Sequence, residues 1–263
     1  MRFTVRSAII PVVLGLLGTQ GSYAASFVSG FEPPSYVPFT ELVPQDGWTI
    51  NDPTADLSYI VSWNGSNAGL VGGLLSAPAI LNVDLIHSFA APLDGTNFDV
   101  DLSVQPSSAS NPNRDAFGWS FKSGASDIMR VAFEPGIPGR LEIAWYDNAN
   151  VRHVLTPVSQ DIFYNSPYHL SISFSSSGPD AQFNASLFGT NAVAWSGNLP
   201  GAGGASLTTF AADFDVRGAT GINAGDNYML FDGVSITNPI PEPAGALLAG
   251  VFCIGLVLRR KRG

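Results

Sequence analysis

The sequence predicts an all-β protein: a two-sheet antiparallel jelly-roll sandwich, with an N-terminal signal peptide and a single C-terminal transmembrane helix. Three observations carry this reading. The interior of the chain alternates apolar and polar residues with a period of two in many short runs. Clusters of Gly, Pro, Asn, Asp and Ser separate those runs. Each end carries a continuous apolar stretch beside basic residues.

At the N-terminus, Arg2 and Arg6 precede an apolar stretch from Ala8 to Leu17, and Ser22-Tyr23-Ala24 offers the small-x-small pattern that signal peptidase cuts. Residues 1–24 are therefore expected to be removed. About ten apolar residues containing Pro11 are too few to span a bilayer.

Between the ends, residues 25–238 read as one sandwich domain. "NFDVDLSV" sets Phe98, Val100, Leu102 and Val104 against Asp99, Asp101 and Ser103. "AFGWSFK" places Phe117, Trp119 and Phe121 inward, with Ser120 and Lys122 outward. "HLSISFS" opposes Leu170, Ile172 and Phe174 to His169, Ser171 and Ser173. Period two with one polar face is the signature of half-buried antiparallel strands. Further strands are expected near 58–63, 78–85, 127–134, 140–147, 151–156, 181–188, 207–215 and 228–237. No long interior stretch has helical periodicity, and about a dozen strands argue for two packed sheets.

The last segment, 239–263, has three parts in order. Pro241-Glu242-Pro243 comes first, then fifteen uncharged residues from Ala244 to Leu258, then Arg259-Arg260-Lys261-Arg262. At about 1.5 Å per residue, the run of 244–258 makes a minimal transmembrane helix of about 22 Å. The basic cluster is expected to stay cytoplasmic and act as the membrane stop, leaving the rest of the chain outside. Pro239, Pro241 and Pro243 disfavour helix and keep the preceding segment extended, the form a protease takes into its cleft. This tripartite ending, together with the signal peptide, resembles the PEP-CTERM sorting signal of Gram-negative bacteria. The resemblance implies processing by an exosortase at Pro241-Glu242-Pro243. It further implies an inner-membrane intermediate, and delivery to the cell surface or the exopolysaccharide matrix.

Charge narrows the partners. From residue 25 to 243, six basic residues face all twenty-one acidic ones, a formal charge of 6 − 21 = −15. Such a surface offers no footprint for nucleic acid. The single cysteine, Cys253, lies in the apolar tail, so the domain must hold together without an internal disulfide.

Both flanks of the domain carry a second resemblance. "SGFEPPSYVPFTELVPQDGWTI" and "AGDNYMLFDGVSI" look like the opening and closing segments of concanavalin-A-like, laminin-G-like sandwiches. Glycoside hydrolases of that superfamily carry a Glu-x-Asp-x-x-Glu strand. Here "LEIAWYD" has Ala144 at the middle position, and Glu142 and Asp147 fall on opposite strand faces, which argues against that chemistry. His87, His153 and His169 lack metal-ligand spacing, and a nucleophile elbow, a phosphate loop and a domain cysteine are all missing. No catalytic residue is therefore assigned.

Two candidate sites follow. Oxygen-rich segments, above all Asp94, Asn97, Asp99 and Asp101, are candidate calcium ligands, with Asx-rich turns as the alternative. If 127–134 and 140–147 pair through "EPGIPGR", then Tyr146, Glu142 and Arg130 share one outward face. They form either a ligand patch or a cross-strand salt bridge beside a surface tyrosine. The expected function is a non-enzymatic surface or matrix protein whose sandwich binds extracellular polysaccharide. A structural matrix protein without a ligand, and a glycan-active enzyme, are the alternatives.

Overall fold

In the computed structural model, two eight-stranded antiparallel sheets face each other and bury an aromatic core between them. The structure describes residues 27–51, 58–72, 82–106, 115–136, 138–155, 161–176, 178–215 and 227–237. The signal peptide, the Pro-Glu-Pro triplet, the run 244–258 and the basic cluster 259–262 lie outside the described residues.

The strands in chain order are β1 (Phe27–Ser29), β2 (Thr49–Ile50), β3 (Ser58–Trp63), β4 (Ser66–Gly72), β5 (Asn82–Leu93), β6 (Gly95–Pro106), β7 (Ala116–Ser123) and β8 (Ser126–Glu134). They continue as β9 (Gly139–Tyr146), β10 (Arg152–Leu155), β11 (Asp161–Ile162), β12 (Tyr168–Ser175), β13 (Ala181–Gly189), β14 (Val193–Leu199), β15 (Leu207–Asp215) and β16 (Asn227–Thr237). A 3-10 turn, Gln45–Gly47, precedes β2. The first sheet runs β14-β13-β12-β6-β16-β4-β3, with β1 also on β16; the second runs β10-β9-β8-β7-β15-β5-β2, with β11 on β9. The chain changes sheet between β1 and β2, β2 and β3, β4 and β5, β5 and β6, β6 and β7, β11 and β12, β14 and β15, and β15 and β16, so the two layers are interwoven.

The inward residues are those the alternation selects. Phe98, Val100 and Leu102 of β6, Phe117, Trp119 and Phe121 of β7, and Leu170, Ile172 and Phe174 of β12 are buried. The layers meet through rings: Phe98 on Trp119 at 5.0 Å, Phe98 edge-on to Phe121 at 5.2 Å, and Trp119 edge-on to Phe231 at 5.2 Å. Burying each such side chain contributes about 1.5–3 kcal/mol, and this interior holds the sheets together without a disulfide.

In β16 the register shifts between Asp232 and Ser235, where Gly233 has φ of 60°. A residue without Cβ adopts that left-handed conformation at little cost. The bulge changes the partner of β16 from β4 to β1, so Phe27 lies opposite Ile236.

Several strands differ from the expected bounds. The segment expected at 78–85 is described as strand from Asn82 and continues to Leu93, because it pairs with β15 along most of that length. The short β1, β2 and β11, the glycine-containing β4 and the edge strand β14 were not anticipated. Two or three residues carry too little alternation to be recognised, and glycine weakens strand propensity. His87 is half-buried: on the inward side of β5 it sits 4.0 Å from the Phe27 ring and 5.3 Å from Trp48, and burial pushes its pKa down.

Candidate ligand-binding cleft

The outward face of the second sheet is built on small residues. Register places Gly118, Ala132, Ala144 and Ala211 on the same face as Arg130 and Asp213. Long side chains therefore lie flat across this face and bury one another. A Cβ on Gly118 would meet the Val131 carbonyl oxygen at 2.7 Å and Asp213 Oδ1 at 3.0 Å, so glycine is what lets a β8 side chain cross β7.

Arg130 makes that crossing. Its Nε donates to Asp213 Oδ1 at 2.9 Å, its Nη2 contacts both Asp213 and Asp215, the latter at 2.9 Å, and its Nη1 lies 3.7 Å from Glu134 Oε1. Ser120 also donates to Asp213, which is fully buried. Burial opposes the guanidinium charge, but these carboxylates hold its pKa well above the ordinary arginine value. Lys122 Nζ lies 2.8 Å from both Asp84 and Asp127. Against the burial that disfavours its charge, these two carboxylates raise its pKa. Asp84 is held above the usual carboxylate range by burial, with Lys122 pulling the other way.

Beside this network lies a cleft of about 370 Å³, lined by Asn82, Asp84, Ser120, Asp127, Arg130, Glu134, Glu142, Tyr146, Arg152 and Asp215. The structure thus brings Tyr146, Glu142 and Arg130 to one cleft. It pairs β8 with β9 as the "EPGIPGR" turn implies, and sets Arg130 opposite Ala144 and Glu142 opposite Ala132. The salt bridges themselves differ from the cross-strand pair considered: Glu142 pairs with Arg152 of β10, while Arg130 turns toward β15.

Sequence reasoning missed Asp84, Asp127, Glu134, Arg152 and Asp215 as cleft residues, and Asp213 as the buried partner of Arg130 beneath them. The parity of Ala211, Asp213 and Asp215 in β15 was a usable signal. For Asp127 there was none, because by parity it belongs with Met129 and Val131, and a register shift beside Lys122 turns it outward. Ser120 and Lys122 do point away from the core, as expected, but both are buried by their neighbours on this face.

The outward face of the first sheet is different. Asn97, Asp99 and Asp101 occupy alternate positions of β6, so neighbouring Cα atoms are about 7 Å apart. Asp94 stands in the β5–β6 turn, where it accepts from Ser206 at 2.8 Å. The four residues proposed for calcium are therefore spread along a strand and a turn and do not converge. Among the described residues no group of three or more His, Cys, Asp or Glu is arranged to hold a metal ion.

On that face His169 Nδ1 lies 2.8 Å from Asp101, its Nε2 lies 3.2 Å from Ser171 Oγ, and Ser171 donates to Asp99 at 2.5 Å. The chain of hydroxyl, imidazole and carboxylate superficially resembles a nucleophilic triad, but the one hydroxyl proton of Ser171 is directed at Asp99 and not at the imidazole. Moreover, β12 is paired on both sides, so its backbone N–H groups are spent in the ladder and cannot stabilise an oxyanion. His153 pairs with Asp147 at 3.0 Å and stacks on Trp145.

No family profile and no curated protein matches the sequence. Solved structures do resemble the fold. A lectin II from Ulex europaeus superimposes with a TM-score of 0.54 at 10% identity, covering 82% of this chain and 99% of its own. A variant of the alginate lyase Aly36B, in complex with alginate trisaccharide, gives 0.53 at 14% identity, over 83% of this chain and all of its own. The CBM2 module of the evolved Dit of Lactobacillus casei BL23 phage J-1 gives 0.51 at 10% identity, over 82% and 96%. At these identities the likeness establishes the sandwich fold and no more. The fold is one that lectins and lyases share.

Proposed function

We propose that this protein is exported and held at the cell surface or in the exopolysaccharide matrix, and that the cleft of the second sheet binds an extracellular glycan without turning it over. The observation that carries the binding reading is the cleft itself. Tyr146 and a set of hydrogen-bonding groups line an open space, and the ion pairs of Arg130 and Lys122 hold several of those groups in place. Sugar recognition uses this combination of an aromatic ring and pre-positioned polar groups. The lectin-like sandwich supports the same reading. Export and surface retention rest on the two terminal signals of the sequence.

Binding is preferred to catalysis because the described bases of the cleft are each tied to carboxylates, which leaves none of them free to neutralise or protonate a substrate. The likeness to an alginate lyase keeps turnover as the second reading.

The test is a glycan array probed with the mature domain and with Tyr146→Ala. Wild-type binding lost in the variant, with an unchanged melting temperature, is expected. Equal binding by both proteins would remove the cleft from the reading. Release of shorter saccharides from the bound glycan would establish the enzyme instead.

A further inference from the structure

We infer that the protein has a second, separate binding pocket, on the outward face of the first sheet, and that it takes an uncharged sugar unit stacked on Trp63. The pocket encloses about 330 Å³ and is lined by Trp63, Asn64 and Ser66 of the β3–β4 hairpin, Asp101 of β6, His169 of β12 and Asp232 of β16. None of these residues lines the cleft of the second sheet.

Trp63 carries the inference. In β3 it lies on the face opposite the buried Ser58 and Ile60, and it is only partly covered. Among the described residues no hydrogen bond or ring contact engages its indole. The hairpin nevertheless holds it firmly. Asn64 and Gly65, with φ of 50° and 86°, form a two-residue turn. Just beyond it, Glu32 accepts from Ser66 Oγ at 2.8 Å, from the Asn67 N–H at 2.9 Å and from Asn67 Nδ2 at 2.8 Å. An apolar ring and an indole N–H are thus kept at the surface by a pinned turn, where collapse onto the protein would have buried them.

Strand register sets acceptors beside that ring. Asp232 lies opposite Asp101, Asp101 opposite His169, and His169 opposite Phe188. At about 4.8 Å per strand, this outward row extends about 14 Å, and it ends at a phenylalanine that is 53% exposed. Asp232 stands at the β16 bulge, where its Oδ1 accepts from the Gly233 N–H at 2.7 Å. Burial holds its carboxyl above the usual range, with that hydrogen bond pulling the other way. The group has already lost part of its water, so a sugar hydroxyl donating to it meets little further desolvation cost. Asp101 gives Oδ1 to His169 at 2.8 Å and keeps Oδ2 for a ligand.

The same lining selects against charge. It contains two carboxylates and neither lysine nor arginine, and the His169 ring is shared between Asp101 at 2.8 Å and Asp99 at 3.6 Å. A uronate or sulfate would meet like charge with no base to receive it. Among the described residues these groups do not converge as metal ligands either. An uncharged pyranose fits both halves of the pocket, its C–H face on the indole and its hydroxyls on the carboxylates.

The experiment is calorimetric titration of the mature chain with uncharged tetrasaccharides of β-1,4-glucan, β-1,3-glucan, xylan and mannan, and with alginate tetrasaccharide. It is repeated for Trp63→Ala, Trp63→Phe, Asp232→Asn and the cleft variant Tyr146→Ala. At least one uncharged tetrasaccharide is expected to bind more tightly than alginate, and to remain bound to Tyr146→Ala. Trp63→Ala should weaken that binding by about tenfold or more, and Asp232→Asn by about three- to tenfold. Trp63→Phe, which keeps a ring, should recover most of the loss, which separates stacking from any damage to the hairpin.

Binding that Tyr146→Ala abolishes and Trp63→Ala leaves intact overturns this inference and leaves the cleft reading standing. The reverse pattern upholds the pocket and removes the cleft. Alginate binding as tight as that of any uncharged tetrasaccharide overturns the assigned ligand class. Absence of binding to the whole panel overturns the inference, and a blank glycan array with it sinks the cleft reading as well.

Discussion

Arg130 on β8 and Asp213 on β15 are joined across an intervening strand, over Gly118, at a point where Asp213 has no exposure to solvent. The pair ties three strands of the second sheet together along one wall of the cleft. It also commits the most buried arginine of that face to the protein itself, which decides what the cleft has left to offer a ligand.

Breaking this pair from one side should be far more costly than removing it whole. Arg130→Met leaves Asp213 buried without its cation, an arrangement that costs about 3–5 kcal/mol. The double substitution Arg130→Met with Asp213→Leu should recover much of that loss, because neither charge then remains to be desolvated. Urea denaturation of the two variants and the wild type checks this, and a single-variant cost below about 1 kcal/mol would show that water reaches Asp213.

Alkaline stability should depend on Tyr36. Its hydroxyl donates to Asp46 at 2.9 Å and accepts from Trp48 Nε1 at 3.1 Å, and burial, with Asp46 nearby, pushes its pKa up to about 12. A folded-state pKa above the unfolded value of about 10 means the stabilisation is whole below about pH 10 and is lost as pH rises through about 12. Lys122, also raised, adds a loss of the same sign above the ordinary lysine range. Tyr36→Phe should cost about 1 kcal/mol near neutrality and flatten the alkaline decline, leaving the part due to Lys122. Chemical denaturation at a series of pH values, with the phenolate absorbance followed in parallel, measures both. An unaltered alkaline slope in the variant would remove Tyr36 from the account.

The tail should be processed. β16 ends at Thr237, four residues before Pro241, and β1 runs beside it with Phe27 opposite Ile236. Signal-peptide cleavage after Ala24 and tail cleavage near Pro241-Glu242-Pro243 would thus both act on chain leaving the same pair of strands, on the sheet that does not carry the cleft. Glu242→Ala is expected to block tail processing without preventing membrane insertion. Neutral replacements at 259–262 should loosen the topology. Mass spectrometry of the surface protein from hosts with and without exosortase decides the matter, and an intact C-terminus through Gly263 in both would leave a simple membrane-anchored protein.

What the sequence determined by itself is what depends on neighbours along the chain. Period-two alternation assigns Phe98, Trp119 and Ile172 to the inside and Tyr146, Glu142 and Arg130 to the outside, because strand geometry sends successive side chains to opposite faces whatever the strand pairs with. The turn "EPGIPGR" likewise announces the β8–β9 hairpin, since a short connection leaves its strands few alternatives. Tertiary structure alone decided what depends on strand order and register. The sequence separates Arg130 from Asp213 by 83 positions, and only the order β8-β7-β15 brings them together. Lys122 is buried on an outward face because Asp84 and Asp127 converge on it from two other strands, one through a register shift that alternation cannot foresee. Conversely, Asp94, Asn97, Asp99 and Asp101 lie close in sequence yet apart in space, because an extended strand moves alternate residues about 7 Å along its axis, whereas a calcium site needs its oxygens folded back around one point.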